Sequence, residues 1–483
     1  MMVRLLLLIL AIGFSATGFA QTVERPNFIF LLADDQRVDT IAAWGNSEIQ
    51  TPNLDTLVQR GLSFRANYNL GGSNGAVCIA SRAMIYSGRA WVHSPDNIEG
   101  VTTFPERLRS AGYHTFHTGK WHNGQESLAR SYSSGENVFL GGMCDHTQVK
   151  THSLRDGNIE LNATNETFSS QLFADAAIAF LETRPSDQPF LLSVCFTAPH
   201  DPRQPPLPYR EPYYASLPSL PNNFLPQHPF DNGQLVLRDE VLTAWPRKPE
   251  VIQQQLAEYY GMVTHMDEQI GRILESLAKS GSADNTYIIY AADHGLALGS
   301  HGLLGKQSLY EHSSRSPLIV VGPGISADQT TTAKTYLLDI GATLLDLAGV
   351  DALPEIDGKS FRSVLENPQA EFRTSIGLAY TRQMRAFRDG DWKLIVYPPI
   401  NHVQLFNLKD DPDEKNDLAG LPEHVDRLQK LKSSLEHWQQ SYDDICPLTV
   451  ENPKPKQIDL TGKERKPDQW QPEWIVEKYF GDD

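Results

Sequence analysis

Two adjacent acids, Asp34 and Asp35, close an apolar run, Cys78 and Arg82 stand four apart, and Lys120 and His122 stand two apart. Further along come His200, the pair Asp293-His294, and Lys306. Adjacent carboxylates suit a hard divalent cation with oxygen ligands. The loop Ser73-Asn74-Gly75 runs into a helical pattern that begins near Cys78. A cysteine at a helix N-terminus lies at the positive end of the helix dipole, which favours an anion. Arg82, about one turn on, lies over the same face and adds a full positive charge. Each feature also has a plain structural reading. Paired acids occur in solvated turns, Cys78 suits a packed helix, lysines face solvent, and loop histidines find local partners.

The elements that position these residues follow from the hydrophobic pattern. Arg25 to Ala33, Pro189 to Thr197, Thr286 to Ala292 and Pro317 to Val321 are short apolar runs of the kind that form strands covered on both faces. His114 to His122 alternates in strand fashion, so Lys120 and His122 share a side if the strand extends through both. Helical patterns cover Thr51–Gly61, Phe104–Ser110, Phe168–Glu182, Glu250–Ser280 and Leu337–Ala348. Strands alternating with helices predict an α/β fold: a large, mostly parallel sheet flanked by helices, whose strand ends collect ligands. Residues 123–165 and the proline-dense 202–249 lack sustained periodicity and read as long loops. After about residue 365 short strand-like pieces precede a helix from about Glu423 to Tyr442 and a Pro/Lys-rich tail. The expected organisation is a leader over 1–20, a catalytic α/β domain over 21–365, and a C-terminal antiparallel sheet plus helix with its tail over 366–483.

The chain has 483 residues, four cysteines and a formal charge of -17. That charge disfavours a nucleic-acid partner, which needs a basic face. An anionic substrate then requires a local basic pocket. Arg4, an apolar run from Leu5 to Phe14, and the small residues ending at Ala20 have the order of a secretory signal peptide. The expectation is a periplasmic or secreted protein without stable membrane insertion, and the few cysteines do not form a disulfide framework.

Cys78-Ile79-Ala80-Ser81-Arg82 resembles the Cys-x-Pro/Ala-x-Arg signature of the type I sulfatases, in the alkaline phosphatase superfamily. In that family the cysteine is oxidised to formylglycine. Gly119-Lys120-Trp121-His122, His200, Asp293-His294, Gly305-Lys306-Gln307 and the C-terminal Arg388–Lys393 and Leu405–Pro412 segments extend the resemblance over about Pro26 to Asn416.

The resemblance implies one divalent cation, calcium in most relatives, held by Asp34, Asp35, Asp293, His294 and the formylglycine made from Cys78. It assigns catalytic roles to Cys78, Arg82, Lys120, His122, His200 and Lys306. A hydroxyl of the hydrated aldehyde attacks sulfur with Asp293 as base. His200 protonates the leaving alcohol with help from Lys306, and His122 takes the second hydroxyl's proton as sulfate departs. Lys120, Lys306 and Arg82 compensate the anionic oxygens. Two departures from the commonest family pattern matter. Ala80 replaces proline, which implies maturation by the anaerobic radical type of formylglycine-generating maturase. His294 replaces asparagine, although calcium prefers oxygen.

The implied activity is sulfate-ester hydrolysis on a poly- or oligosaccharide such as a carrageenan, another algal galactan or a glycosaminoglycan, with His146, Arg203 and Arg210 as substrate contacts. The alternatives are a phosphonate monoester or phosphodiester hydrolase using the same nucleophile, and a non-catalytic sulfated-glycan binder if Cys78 stays a thiol.

Overall fold

A computed structural model describes residues 25–75, 77–163 and 166–481, so the leader expected over 1–20 lies outside the described residues. The strands in chain order are β1 (Asn27–Ala33), β2 (Leu62–Tyr68), β3 (Gly71–Gly72), β4 (His114–Lys120), β5 (Ser134–Phe139), β6 (His152–Arg155), β7 (Asn158–Leu161) and β8 (Phe190–Cys195). They continue as β9 (Thr286–Ala292), β10 (Leu318–Val321), β11 (Gln329–Tyr336), β12 (Ser375–Tyr380), β13 (Met384–Asp389), β14 (Trp392–Tyr397) and β15 (His402–Asn407).

Ten strands form the large sheet in the order β11-β2-β10-β9-β1-β8-β4-β5-β6-β7. Its centre is parallel: β1 lies between β9 and β8, and β8 pairs with β4. Every residue of β1 and β8 is buried, as their unbroken apolar runs require. Two apolar clusters, one on each face, lock the helices onto the sheet. The mostly parallel α/β reading therefore holds, with two refinements: β10 runs antiparallel to β9 and β2, and β6 and β7 add an antiparallel edge beside β5. A continuous apolar run carries no information about direction, so that difference was invisible in the pattern.

Residues 123–165 are more ordered than their composition implied. They hold the helix Gln125–Ser131 and β5, β6 and β7, which extend the sheet. The long amphipathic pattern forms a single helix, Pro249–Lys279. No helix among the described residues is long and apolar enough to cross a membrane.

The second sheet, β15-β14-β13-β12-β3, is antiparallel except where β3 joins β12 in parallel. β3 comes from the N-terminal part of the chain, so the two sheets are stitched together beside the Cys78 loop. Gly71 permits the join: its φ is +120°, and a side chain there would collide with the Ala379 carbonyl. A buried ion network makes the second link. Lys393 on β14 is fully buried and reaches Glu311 at 2.9 Å and Glu414 at 2.8 Å. Glu311 follows closely on Lys306, so this network anchors the segment that delivers a lysine to the cleft.

Replacing Lys393 by methionine would leave Glu414 without its cation, facing a Glu311 that keeps only the more distant Arg388 and Arg315 at 3.5 and 3.7 Å. The expected cost is about 3–5 kcal/mol, seen as a lower urea unfolding midpoint. An unchanged midpoint would contradict the assigned role of this network.

Candidate active site

The carboxyl ends of β1, β8 and β9 meet in one place, because hydrogen bonds tie the segments just beyond the strands together. Asp34 N donates to Ala198 O at 3.1 Å, and Asp293 N donates to Ala33 O at 3.2 Å. Asp34, Asp35 and Asp293 therefore converge in the interior, each at most 2% exposed. The helix Val77–Ser87 points its first turn at them, and Cys78 Sγ lies 3.1 Å from Asp34 Oδ1 and 3.4 Å from Asp35 Oδ1.

Buried carboxylates need compensation. Lys120 Nζ pairs with Asp34 at 2.5 Å, Lys306 Nζ pairs with Asp35 at 2.7 Å, and Arg82 Nε donates to Asp293 at 3.0 Å. Burial alone would resist ionisation of Asp34, but Lys120, His200, Arg82 and Lys306 together hold its carboxyl well below the usual range. Asp293 is pushed up to about 6 by burial and by the charge of Asp34, with Arg82 opposing. Burial and the three aspartates push the Cys78 thiol well up, so the sulfur stays protonated although Lys306 Nζ is 2.7 Å away. That is the reverse of an activated thiolate. A protonated thiol is a poor nucleophile.

A cavity of about 280 Å³ opens above this cluster. Cys78, Lys120, His122, His200 and Lys306 reach it, and Arg238, Asp239 and Gln307 stand on its wall. His200 is held at both ends. Its Nδ1–H donates to Asp201 O at 2.8 Å, and its own carbonyl accepts from His146 Nε2 at 3.0 Å. Its free Nε2 lies 3.6 Å from Asp35 Oδ2.

His122 reaches the cavity by a different route from the one its spacing implied. β4 ends at Lys120 and His122 takes φ +72°, so strand alternation does not set its direction. Its ring lies against Gly142, where a Cβ would come within 2.7 Å of Nε2. Burial, with Lys120 and Arg82 adding to it, lowers its pKa to about 2, leaving a neutral imidazole.

Other expected contacts lie outside the cavity. Arg82 is fully buried beneath it, bound to Asp293 and, at 2.8 Å, to the Lys120 carbonyl. It positions those two residues. His294 is also behind the wall. Asn69 Nδ2 lies 2.8 Å from its Nδ1 and donates to Ser313 O at 3.2 Å, so Asn69 fixes the ring's orientation. His146 is buried, with Ser169 Oγ 2.8 Å from Nδ1 and the His200 carbonyl on Nε2, so it supports the His200 loop. Arg203 is buried against Gln255, and Arg210 stacks on Trp474 in a separate groove of about 1000 Å³.

Asn69, Arg238 and Asp239 also belong to the site without having been marked in the sequence, and Gln307 had been named only as the neighbour of Lys306. The only available signal for Arg238 and Asp239 was their place in the proline-dense excursion that His200 introduces. That excursion also anchors Lys306: Glu240 accepts from Leu304 N and Gly305 N at 2.9 and 2.8 Å.

The four groups Asp34, Asp35, Cys78 and His200 offer donor atoms all within 4.8 Å of one another. Two carboxylates in that set fit a hard divalent cation, with an oxygen in place of the Cys78 sulfur completing the fit. The four cysteines are all unpaired.

An acid-lined sheet edge with a helix-borne cysteine under a small cavity lies where open α/β sheets bind their ligands. The sulfatase family model matches residues 26–350, and the model of the N-sulphoglucosamine sulphohydrolase C-terminal region matches residues 299–441. The chain is 28% identical to an N-acetylglucosamine-6-O-sulfatase of Bacteroides thetaiotaomicron, over 91% of this chain and 90% of that protein. A solved structure in complex with its substrate D-glucosamine-2-N,6-O-disulfate superposes with a TM-score of 0.75 at 26% identity, covering 88% of this chain and 99% of that one. The phosphonate monoester hydrolase of Agrobacterium radiobacter shares the fold, with a TM-score of 0.70 at 19% identity over 86% of this chain and 96% of that one. The chain belongs to the sulfatase family of the alkaline phosphatase superfamily and is a sulfuric ester hydrolase.

The packing of His122 on Gly142 gives a direct test. Gly142→Ala should displace the imidazole by about an ångström and lower kcat on the order of 10²-fold, with the unfolding midpoint nearly unchanged. Full activity would show that His122 has no role at the reacting centre.

Proposed function

We propose that this enzyme hydrolyses a sulfate ester on a sulfated amino sugar, through a formylglycine made from Cys78. The observation that carries the reading is the placement of Cys78 on the cavity floor, among buried carboxylates and lysines, with its thiol held in the unreactive form. The formylglycine would supply the attacking hydroxyl, and a divalent cation held by Asp34, Asp35 and Asp293, calcium in most of the family, would polarise the sulfate.

The remaining chemistry belongs to the chain. Lys120 and Lys306 bring cationic ammonium groups to the floor of an otherwise acidic protein. At about 4 Å and an effective dielectric near 20, each such contact with a sulfate oxygen contributes about 4 kcal/mol before desolvation. His200 has Nδ1 committed to a backbone carbonyl, so Nε2 is the atom that can give a proton to the departing alcohol. His122 reaches the same cavity with a neutral ring, and a bound anionic sulfate would offset the burial and the Lys120 and Arg82 charges that depress its basicity, which is what lets it accept a proton as sulfate is released. Arg82 holds Asp293 and the end of β4 in place beneath the reacting centre.

The substrate reading rests on the cavity and the relatives. About 280 Å³ is close to the lower end of small-molecule sites, enough for one sulfated sugar unit. The named relative acts on N-acetylglucosamine 6-sulfate groups by its description, and the superposed structure holds a glucosamine disulfate. The leader pattern supports action outside the cytoplasm, and Ala80 supports maturation by the anaerobic radical type of maturase.

Matured protein should release sulfate from N-acetylglucosamine 6-sulfate far faster than phosphate from the matched phosphate ester. Dominant phosphate or phosphonate hydrolysis would overturn the substrate assignment. His200→Ala should lower kcat for the sugar sulfate by about 10²–10⁴-fold; a loss below tenfold would remove His200 as the acid.

A further inference from the structure

The chain beyond residue 441 lies past both family-model matches, yet it returns to the catalytic cleft. It leaves the small sheet with Val450 and Lys454 bonded to the Asn401 and Pro399 region, and then passes residue 231, where Asp231 N donates to Lys456 O at 2.9 Å. It ends in the helix Glu473–Phe480, which docks on the long helix Pro249–Lys279. There Tyr479 Oη and Lys478 Nζ reach the buried Glu258 at 2.7 and 2.9 Å, and Ile475 and Tyr479 are buried. The tail therefore runs from the small sheet to the long helix of the large one, passing behind the cavity wall at Arg238.

Between those anchors it places two side chains directly behind the His200 loop. Arg238, on the cavity wall, donates through Nε to Asp468 at 2.7 Å and through Nη1 to Asp201 at 2.7 Å. Gln471 Nε2 donates to Asp201 Oδ2 at 3.2 Å. Asp201 is the residue whose backbone carbonyl accepts the His200 Nδ1 proton at 2.8 Å. Arg238 also meets Asp239 at 3.2 Å, so three carboxylates surround one guanidinium, which makes it a poor binder of an anionic substrate and a good clasp. The connection runs Asp468 and Gln471, then Arg238 and Asp201, then His200.

We propose that the C-terminal tail is a positioning element for the proton-donating histidine, with Asp468 and Gln471 fixing the Asp201 carbonyl that orients His200. The proposal rests on the reading of His200 as the acid that protonates the leaving alcohol. Neither tail residue reaches the cavity, so both act through Arg238 and Asp201. A shift of the Asp201 carbonyl would turn the imidazole away from the leaving oxygen, while the attacking side of the site, built from Cys78, Lys120 and Lys306, is left in place.

This predicts a dependence on leaving-group basicity that a purely structural tail would not produce. Using fully matured full-length protein, turnover is measured on 4-nitrophenyl, phenyl and 4-methoxyphenyl sulfate. A good leaving group needs little protonation and a poor one needs much. Asp468→Ala and Gln471→Ala should lower kcat roughly tenfold on 4-methoxyphenyl sulfate and less than about twofold on 4-nitrophenyl sulfate, with KM unchanged. Asp468→Glu should recover part of the loss. Equal losses across the series, or no loss, would overturn the proposal. His200→Ala in the same series separates the two claims. If it steepens the dependence while the tail variants do not, only the tail proposal fails. If it leaves the slope unchanged, the reading of His200 fails and the tail proposal falls with it.

Discussion

Three carboxylates brought into the interior at the end of a parallel sheet are the constraint on which the rest of the structure depends. Asp34, Asp35 and Asp293 converge because β1 and β9 are neighbours in register, and their shared burial would be untenable without opposite charge. Each is answered by one cation from a different part of the chain: Lys120 from β4, Lys306 from the loop after β9, and Arg82 from the helix that carries Cys78. Every segment that contributes a cation must therefore be placed accurately, and much of the remaining architecture does that placing. Glu240 bonds the backbone ahead of Lys306, and Lys393 with Glu311 ties the small sheet to the segment that follows it.

The same balance shapes the chemistry. With the acids matched by cations, the cysteine between them is left as a neutral thiol, and the cavity above is entered by lysine and histidine side chains rather than by a ring of negative charge. That reconciles a formal charge of -17 with a sulfated substrate: the acidic field is long-ranged, and the cleft floor is locally compensated. The division of labour among the cations is also clear. Arg82 is spent within the scaffold, whereas Lys120 and Lys306 stand at the cavity.

The sheet and most of the site were legible in the sequence because β1, β8 and β9 are buried on both faces and end abruptly in polar residues. Asp34-Asp35 and Asp293-His294 directly follow β1 and β9, and His200 lies five residues past the end of β8. What was not legible depends on contacts distant in the chain. The direction of His122 is set by a left-handed backbone and by Gly142, twenty residues on, and no local period encodes it. His146 looked free to meet a sugar, but its Nε2 is committed to the His200 carbonyl and its Nδ1 to Ser169. Arg238 lay in a proline-dense stretch with no pattern, and only its three carboxylate neighbours reveal its purpose. The strands in 123–165 were hidden by a polar composition that suits the edge of a sheet, where little is buried.

Under the proposed function, turnover belongs to an aldehyde at position 78 and not to the thiol. The most direct measurement is to quantify the aldehyde on the Cys78 peptide by mass spectrometry across preparations matured to different extents, and to plot sulfate release against it. The expected result is a line through the origin, with an all-thiol preparation inactive. Sulfate release by protein whose Cys78 is entirely unmodified would contradict it.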